Sequence, residues 1–210
     1  TDGTLWTWGS SAYGALGLNQ GPGNNRSSPI QLPGTTWSSI STMSGQAVGV
    51  VKTDGTLWTW GLNAYGMLGL NQSGTTYPTY THSISSPTQL GTNTNWKNYF
   101  AAYHQSYATK TDGTLWSWGR NQKGEGGNNV STNISSPAQV GTETTWSKIS
   151  HFQGGVAATK TDGTYWAWGS NEYGGLGQND AVQRSSPCQV PGTWKDEVGG
   201  AIYAFMGIKE

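Results

Sequence analysis

The side chains best able to do chemistry lie outside any recurring pattern. The acids Glu125, Glu143, Glu172, Asp180, Asp196 and Glu197 could supply a general acid and a general base if folding brought two of them within about 10 Å. Their spacing along the chain does not pair them. His82, His104 and His151 occupy no common position and outline no metal triad. The single cysteine, Cys188, excludes an intramolecular disulfide framework and an all-cysteine metal cage. Placed directly after Pro187, it reads as a small half-buried strand residue rather than a reactive thiol. Serines are abundant, but none sits in a Gly-x-Ser-x-Gly elbow. The expectation is therefore a chain that is not an enzyme, with no catalytic residue, cofactor or metal. Binding is the better prospect, and the long segment Thr75 to His82 carries it. There Tyr77, Tyr80 and His82 offer aromatic bodies with polar tips, suited to a protein or glycan surface.

Composition narrows the partners. The 210 residues hold 11 basic and 11 acidic side chains, for a formal net charge of zero, so nothing recommends nucleic acid or an anionic membrane. No apolar run approaches the roughly 18 residues of a membrane span, and no signal peptide is visible. Low charge and plentiful Ser, Thr, Gly and Asn suit an extracellular, cell-surface or virion setting better than the cytoplasm. The 32 glycines and 8 prolines imply many turns, while 12 Trp and 10 Tyr argue against disorder. Turn-rich all-β architecture satisfies both.

The elements that must position these residues come from a repeat. Thr-Asp-Gly-Thr begins at Thr1, Thr53, Thr111 and Thr161, a period of about 50 residues that signals a solenoid, propeller or array. Four copies follow, at 1–52, 53–110, 111–160 and 161–210. Each string runs into a hydrophobic residue, Trp, a small residue, Trp and Gly: Leu5 to Gly9, Leu57 to Gly61, Leu115 to Gly119 and Tyr165 to Gly169. A Gly-rich segment comes next, Ala12 to Gly17, Ala64 to Gly69 and Glu172 to Gly177. In the third copy Gln122 to Gly127 lacks its Tyr and Leu, which implies either a looser turn or a different neighbour. Ser-Ser-Pro then recurs at Ser27, Ser85, Ser135 and Ser185, and a third Trp at Trp37, Trp96, Trp146 and Trp194. Three Trp in each of four copies account for every indole. They read as packing residues, since each can bury ~150–250 Å².

Gln46 to Lys52 and Leu57 to Trp60 are β-prone runs on either side of Asp54-Gly55, which is a hairpin signal. Asp can bond nearby backbone N–H groups and Gly accepts positive φ, so the four recurring Asp residues read as turn formers rather than calcium ligands. On the outgoing strand Trp6 and Trp8 share one face. Short strands around Trp37-Ser38-Ser39-Ile40 and Pro-x-Gln bring the count to about four per copy, the size of a propeller blade.

Asp-Gly-Thr-Leu-Trp-(Thr/Ser)-Trp-Gly, followed by Asn-x-Tyr-Gly-x-Leu-Gly (Asn63 to Gly69, Asn171 to Gly177) and Ser-Ser-Pro, resembles the regulator of chromosome condensation, or RCC1-type, β-propeller repeat over essentially the whole chain. The resemblance implies blades formed across repeat boundaries and, typically, a seven-bladed ring. Four copies, with Ala204 to Lys209 matching Ala47 to Lys52 at the end, suggest a segment of a longer polypeptide. A four-bladed ring closed by its terminal strands and a multi-chain ring stay open. The function expected is a structural or interaction module of a virion, such as a phage tail, or of a cell surface. The alternatives are guanine-nucleotide exchange on a small GTPase, the activity the resemblance brings with it, and a carbohydrate-active propeller enzyme.

Overall fold

The computed structural model describes residues 2–40, 46–72, 82–152, 154–201 and 204–209. Among the described residues sixteen strands follow one another: β1 (Leu5–Gly9), β2 (Arg26–Leu32), β3 (Trp37–Ile40), β4 (Ala47–Lys52), β5 (Leu57–Leu62), β6 (Ser83–Gln89), β7 (Trp96–Ala101), β8 (Gln105–Lys110), β9 (Leu115–Gly119), β10 (Ile134–Gln139), β11 (Trp146–Phe152), β12 (Gly155–Lys160), β13 (Tyr165–Gly169), β14 (Arg184–Val190), β15 (Trp194–Ala201) and β16 (Ala204–Lys209). One turn of 3₁₀ helix, Ala12–Gly14, is the helix among the described residues, and no helix there is long and apolar enough to cross a membrane. The strands form three four-stranded antiparallel blades, β3–β6, β7–β10 and β11–β14. Two-stranded halves flank them, β1-β2 at one end and β15-β16 at the other.

Within each whole blade the second strand pairs with the third across the Asp-Gly turn. Val50 faces Trp58, Ala108 faces Trp116 and Ala158 faces Trp166, so three hairpins share one register. In each turn the Asp carboxylate accepts hydrogen bonds from the backbone N–H and hydroxyl of the Thr two residues on, at 3.0 and 2.7 Å for Asp54 and Thr56. That hydroxyl oxygen in turn accepts from the next Trp, Trp58 Nε1 at 2.9 Å. Gly55 is required here twice over: its φ is +78°, and a Cβ would run into the Thr94 carbonyl. The same close approach lets the Trp96 N–H bond the Gly55 carbonyl at 3.0 Å, which ties the turn to the start of the next blade.

Alternation of strand direction sorts the connections onto two faces. The turns β4–β5, β8–β9 and β12–β13, with the links that open each new blade, lie on one side. The described parts of the first-to-second strand turns and of the long Gly-rich loops lie on the other, the loop face.

The core lies between blades. One buried cluster joins Val51, Leu57 and Leu90 of one blade to Trp96, Tyr99 and Trp118 of the next; a second joins Tyr107, Leu115 and Val140 to Trp146, Val156 and Trp168. The Trp residues meet edge-to-face, Trp96 with Trp116 and Trp118 at 6.0 and 6.2 Å, the arrangement that ring quadrupoles favour. Two interblade hydrogen bonds recur. Trp60, Trp118 and Trp168 donate Nε1–H to the carbonyls of Ala15, Met67 and Glu125 in the preceding loop, at 2.9, 3.0 and 2.8 Å. Asn19, Asn71 and Asn129 donate N–H to the carbonyls of Ser85, Ser135 and Ser185 in the following blade, at 2.7, 2.8 and 2.7 Å. Ser-Ser-Pro is thus an acceptor for the neighbouring loop.

Candidate functional site

The third Gly-rich loop is as well formed as its sisters. Gly127 N–H bonds the Gly124 carbonyl at 3.1 Å, and Asn121 Oδ1 accepts from Gly126 N–H at 2.7 Å as Asn63 and Asn171 accept from Leu68 and Leu176. A looser turn is not what the missing Tyr and Leu produce. Their replacement changes the surroundings instead: Lys123 stands where the other copies have Tyr13, Tyr65 and Tyr173, and Glu125 where they have Ala15, Met67 and Gly175.

Glu125 is 1% exposed. Its Oε2 accepts from the Lys123 N–H at 2.6 Å, and its carbonyl accepts from the Tyr107 hydroxyl at 2.9 Å and from Trp168 Nε1. Burial raises the carboxyl's pKa above the usual range, opposed by its own and Lys123's backbone N–H and by the charges of Arg120 and Lys123. It lines a small cavity of about 20 Å³ with Tyr103, His104, Gln105, Arg120 and Gly154. His104 is buried in the turn between β7 and β8 and packs between Tyr103 and Tyr65, at ring distances of 4.1 and 5.0 Å. Burial, and then the Arg120 charge, bring the imidazole down to about 4, so it is neutral at pH 7. Gln105 Nε2 fixes the approach by donating to the Arg120 carbonyl at 2.6 Å. Tyr103 roofs the cluster and is 60% exposed.

The result is a patch with an aromatic lid, a cation at its edge and a sequestered carboxyl beneath. Such a patch can seat a partner's polar tip. Of the acids outside the repeat pattern, Glu143 lies on the opposite face, 3.5 Å from Lys160, and Asp180 is engaged by Arg184 at 2.6 Å. Glu172 lies in the fourth Gly-rich loop, and the side chains of Asp196 and Glu197 are outside the described residues. No group of three or more His, Cys, Asp or Glu that could hold a metal occurs among the described residues. His151, on β11, is held below its ordinary pKa by burial, against a hydrogen bond to the Ala101 backbone. Cys188 is half-buried on β14, opposite Ala167.

Of the binding residues expected from sequence, Tyr77 and Tyr80 fall outside the described residues. His82 is exposed just ahead of β6, and its carbonyl accepts from the Asn63 N–H at 2.8 Å. Sequence reasoning missed Tyr103, His104 and Arg120 as a group. The available signal was the third copy's departure from the pattern, which put a charge where its sisters are apolar. It also missed the lysine before each Asp-Gly turn: Lys52, Lys110 and Lys160 lie 3.9, 4.1 and 3.8 Å from the ring centres of Trp58, Trp116 and Trp166, cation–π contacts that cover the indoles on the turn side.

The fold has close counterparts. Yeast RCC1 (Prp20), solved with Kap60 bound to it, superposes with a TM-score of 0.81 at 18% identity, over 99% of this chain and 50% of that one. Prp20p from Saccharomyces cerevisiae, described with its binding to Gsp1p and histones, gives 0.74 at 18% identity over 90% and 47%. Human WBSCR16 gives 0.72 at 23% over 93% and 50%. The chain therefore spans about half the length of these structures. No curated protein matches it significantly in sequence. The model of the regulator of chromosome condensation (RCC1) repeat matches residues 2–45, 54–103 and 162–198, more than half of the chain, each match beginning at the Asp of an Asp-Gly turn. On that match and the propeller architecture together, the chain belongs to the RCC1 repeat family.

Proposed function

We propose that this chain is a non-enzymatic interaction module that binds a protein partner through its loop face, around Tyr103, His104, Arg120 and Glu125. The observation that carries the reading is Glu125. A buried carboxyl is costly, and three sister copies build the same loop with Ala, Met or Gly in its place, the first two of them accepting the same kind of interblade bond. The fold does not need the acid, which leaves recognition as its use. Exposed Tyr103 and Tyr173 add the residue type most enriched at protein interfaces. The structural relatives described with Gsp1p, histones and Kap60 support a protein partner over a glycan. A place on a virion or cell surface is part of the same proposal and rests on composition, chiefly the low charge. The test is stoichiometric co-purification from the source. Tyr103→Ser with Glu125→Gln should abolish it, and Lys97→Ser on the β7 surface should not. Loss with neither variant, or a hydrolytic activity that Glu125→Gln removes, would overturn the reading.

A further inference from the structure

Lys160 shows how this chain holds an ammonium group away from water. Its Nζ lies 3.8 and 4.6 Å from the ring centres of Trp166 and Trp146 and 3.5 Å from the Glu143 carboxylate, with the side chain 6% exposed. Two aromatic faces and one carboxylate make the seat, since the ring quadrupoles and the anion both favour a cation. Lys52 and Lys110 lie against the corresponding Trp pairs, at 3.9 and 4.6 Å and at 4.1 and 4.8 Å.

The same ingredients meet on the loop face around Glu125. Tyr103, His104 and Tyr65 form a run of rings, at 4.1 and 5.0 Å, and the buried Glu125 carboxyl lies in the wall of the cavity beside them. That carboxyl accepts from the Lys123 N–H, and among the described residues no side-chain cation forms an ion pair with it. Arg120 adds its charge from farther off. Its Nε donates to Gln122 Oε1 at 3.3 Å, and it is half-buried, so solvent screens it better than it screens the sequestered acid. His104, brought down to about 4 by burial, is neutral at pH 7 and repels no cation. The cavity's volume of about 20 Å³ admits one group the size of a water molecule. An ammonium, compact and carrying three donors, meets that limit, and a planar guanidinium does not.

We infer that this cavity receives a lysine side chain of the protein partner, its ammonium bonded to the Glu125 carboxylate and lying against the rings of Tyr103 and His104. The inference rests on the loop-face reading above and names the group that this face recognises. Tyr103, exposed at the rim, gives the lysine's methylene stem an apolar surface to lie along. The incoming charge also matches a buried acid that the sister loops do without, which offsets part of the cost of sequestering it.

Titrating the 210-residue chain with N-acetyl-lysine N-methylamide at constant ionic strength, and following the Tyr103 and His104 ring signals by nuclear magnetic resonance, reads the seat directly. The expected dissociation constant is on the order of 1–10 mM. Glu125→Gln should weaken binding about tenfold or more, and Tyr103→Leu about threefold. The norleucine analogue, which lacks the ammonium, and the glutamate analogue should leave both ring signals in place. No response to the lysine compound, an equal response to the norleucine compound, a preference for the glutamate compound, or binding indifferent to Glu125→Gln would each overturn the inference. The loop-face reading is judged apart from it, by whether the Tyr103→Ser, Glu125→Gln double variant keeps its co-purified partner.

Discussion

Trp168→Phe and Trp8→Phe place the same change at the same repeat position in two different surroundings. Trp168 is fully buried, donates Nε1–H to the Glu125 carbonyl at 2.8 Å and meets Trp146 edge-to-face at 5.8 Å. Phenylalanine loses that hydrogen bond, worth about 1 kcal/mol because Tyr107 still satisfies the carbonyl. It also vacates roughly 40 Å³, which at about 24 cal/mol per Å³ adds ~1 kcal/mol, and forgoes a further ~1 kcal/mol of apolar burial. The total is about 2–3 kcal/mol, or ~5–10 °C in Tm for a chain of this size. Trp8 is 60% exposed, so its replacement should cost less than about 0.5 kcal/mol. Thermal unfolding followed by near-UV circular dichroism measures both. Equal shifts for the two variants would refute the claim that the indoles act by joining blades.

Three further outcomes follow from the turns and the loop face. Gly55→Ala should destabilise by more than the ~1 kcal/mol that positive φ alone costs, since its Cβ would strike the Thr94 carbonyl. Gly163→Ala, whose Cβ meets only the Trp194 carbonyl at 3.5 Å, should cost little beyond that amount, and urea midpoints compare the two. Asp112→Ala should lower the thermal midpoint while Asp112→Asn keeps most of it, because an amide oxygen can still accept from Thr114. The hydrogen bonds from Thr114 depress the Asp112 pKa below 3.8, so the stability they contribute is present above that value and fades as pH falls through the lower folded one. His104, lowered from 6.5 to about 4, stays neutral in the fold while the unfolded chain takes up a proton. Stability should fall as pH drops through that window, and His104→Gln should flatten the slope in urea titrations. Glu125 has the opposite sign. Its raised pKa means that stability present below 4.5 is lost as pH rises through the folded value, so Glu125→Gln should be more stable than wild type at neutral pH.

The sequence by itself determined the repeat, the Asp-Gly hairpins and the role of tryptophan. These are written in local chemistry: an Asp carboxylate reaches a Thr two residues away, and Gly turns where other residues would clash. A motif repeated four times makes such chemistry unmistakable. Tertiary structure decided what each copy's neighbour is, and with it the surroundings of every residue on a blade face. Trp8 and Trp168 lie in nearly identical strings, yet one is largely exposed and the other wholly buried. Glu125 reads as one more scattered acid until the preceding turn brings His104 and the aromatic ring of Tyr103 toward it. Ser-Ser-Pro is a recurring string in the sequence, and only stacking shows its first carbonyl receiving the neighbouring loop. Burial and hydrogen bonding between blades join residues some 40 to 70 positions apart, and a pattern read along one strand carries no record of what stacks against it.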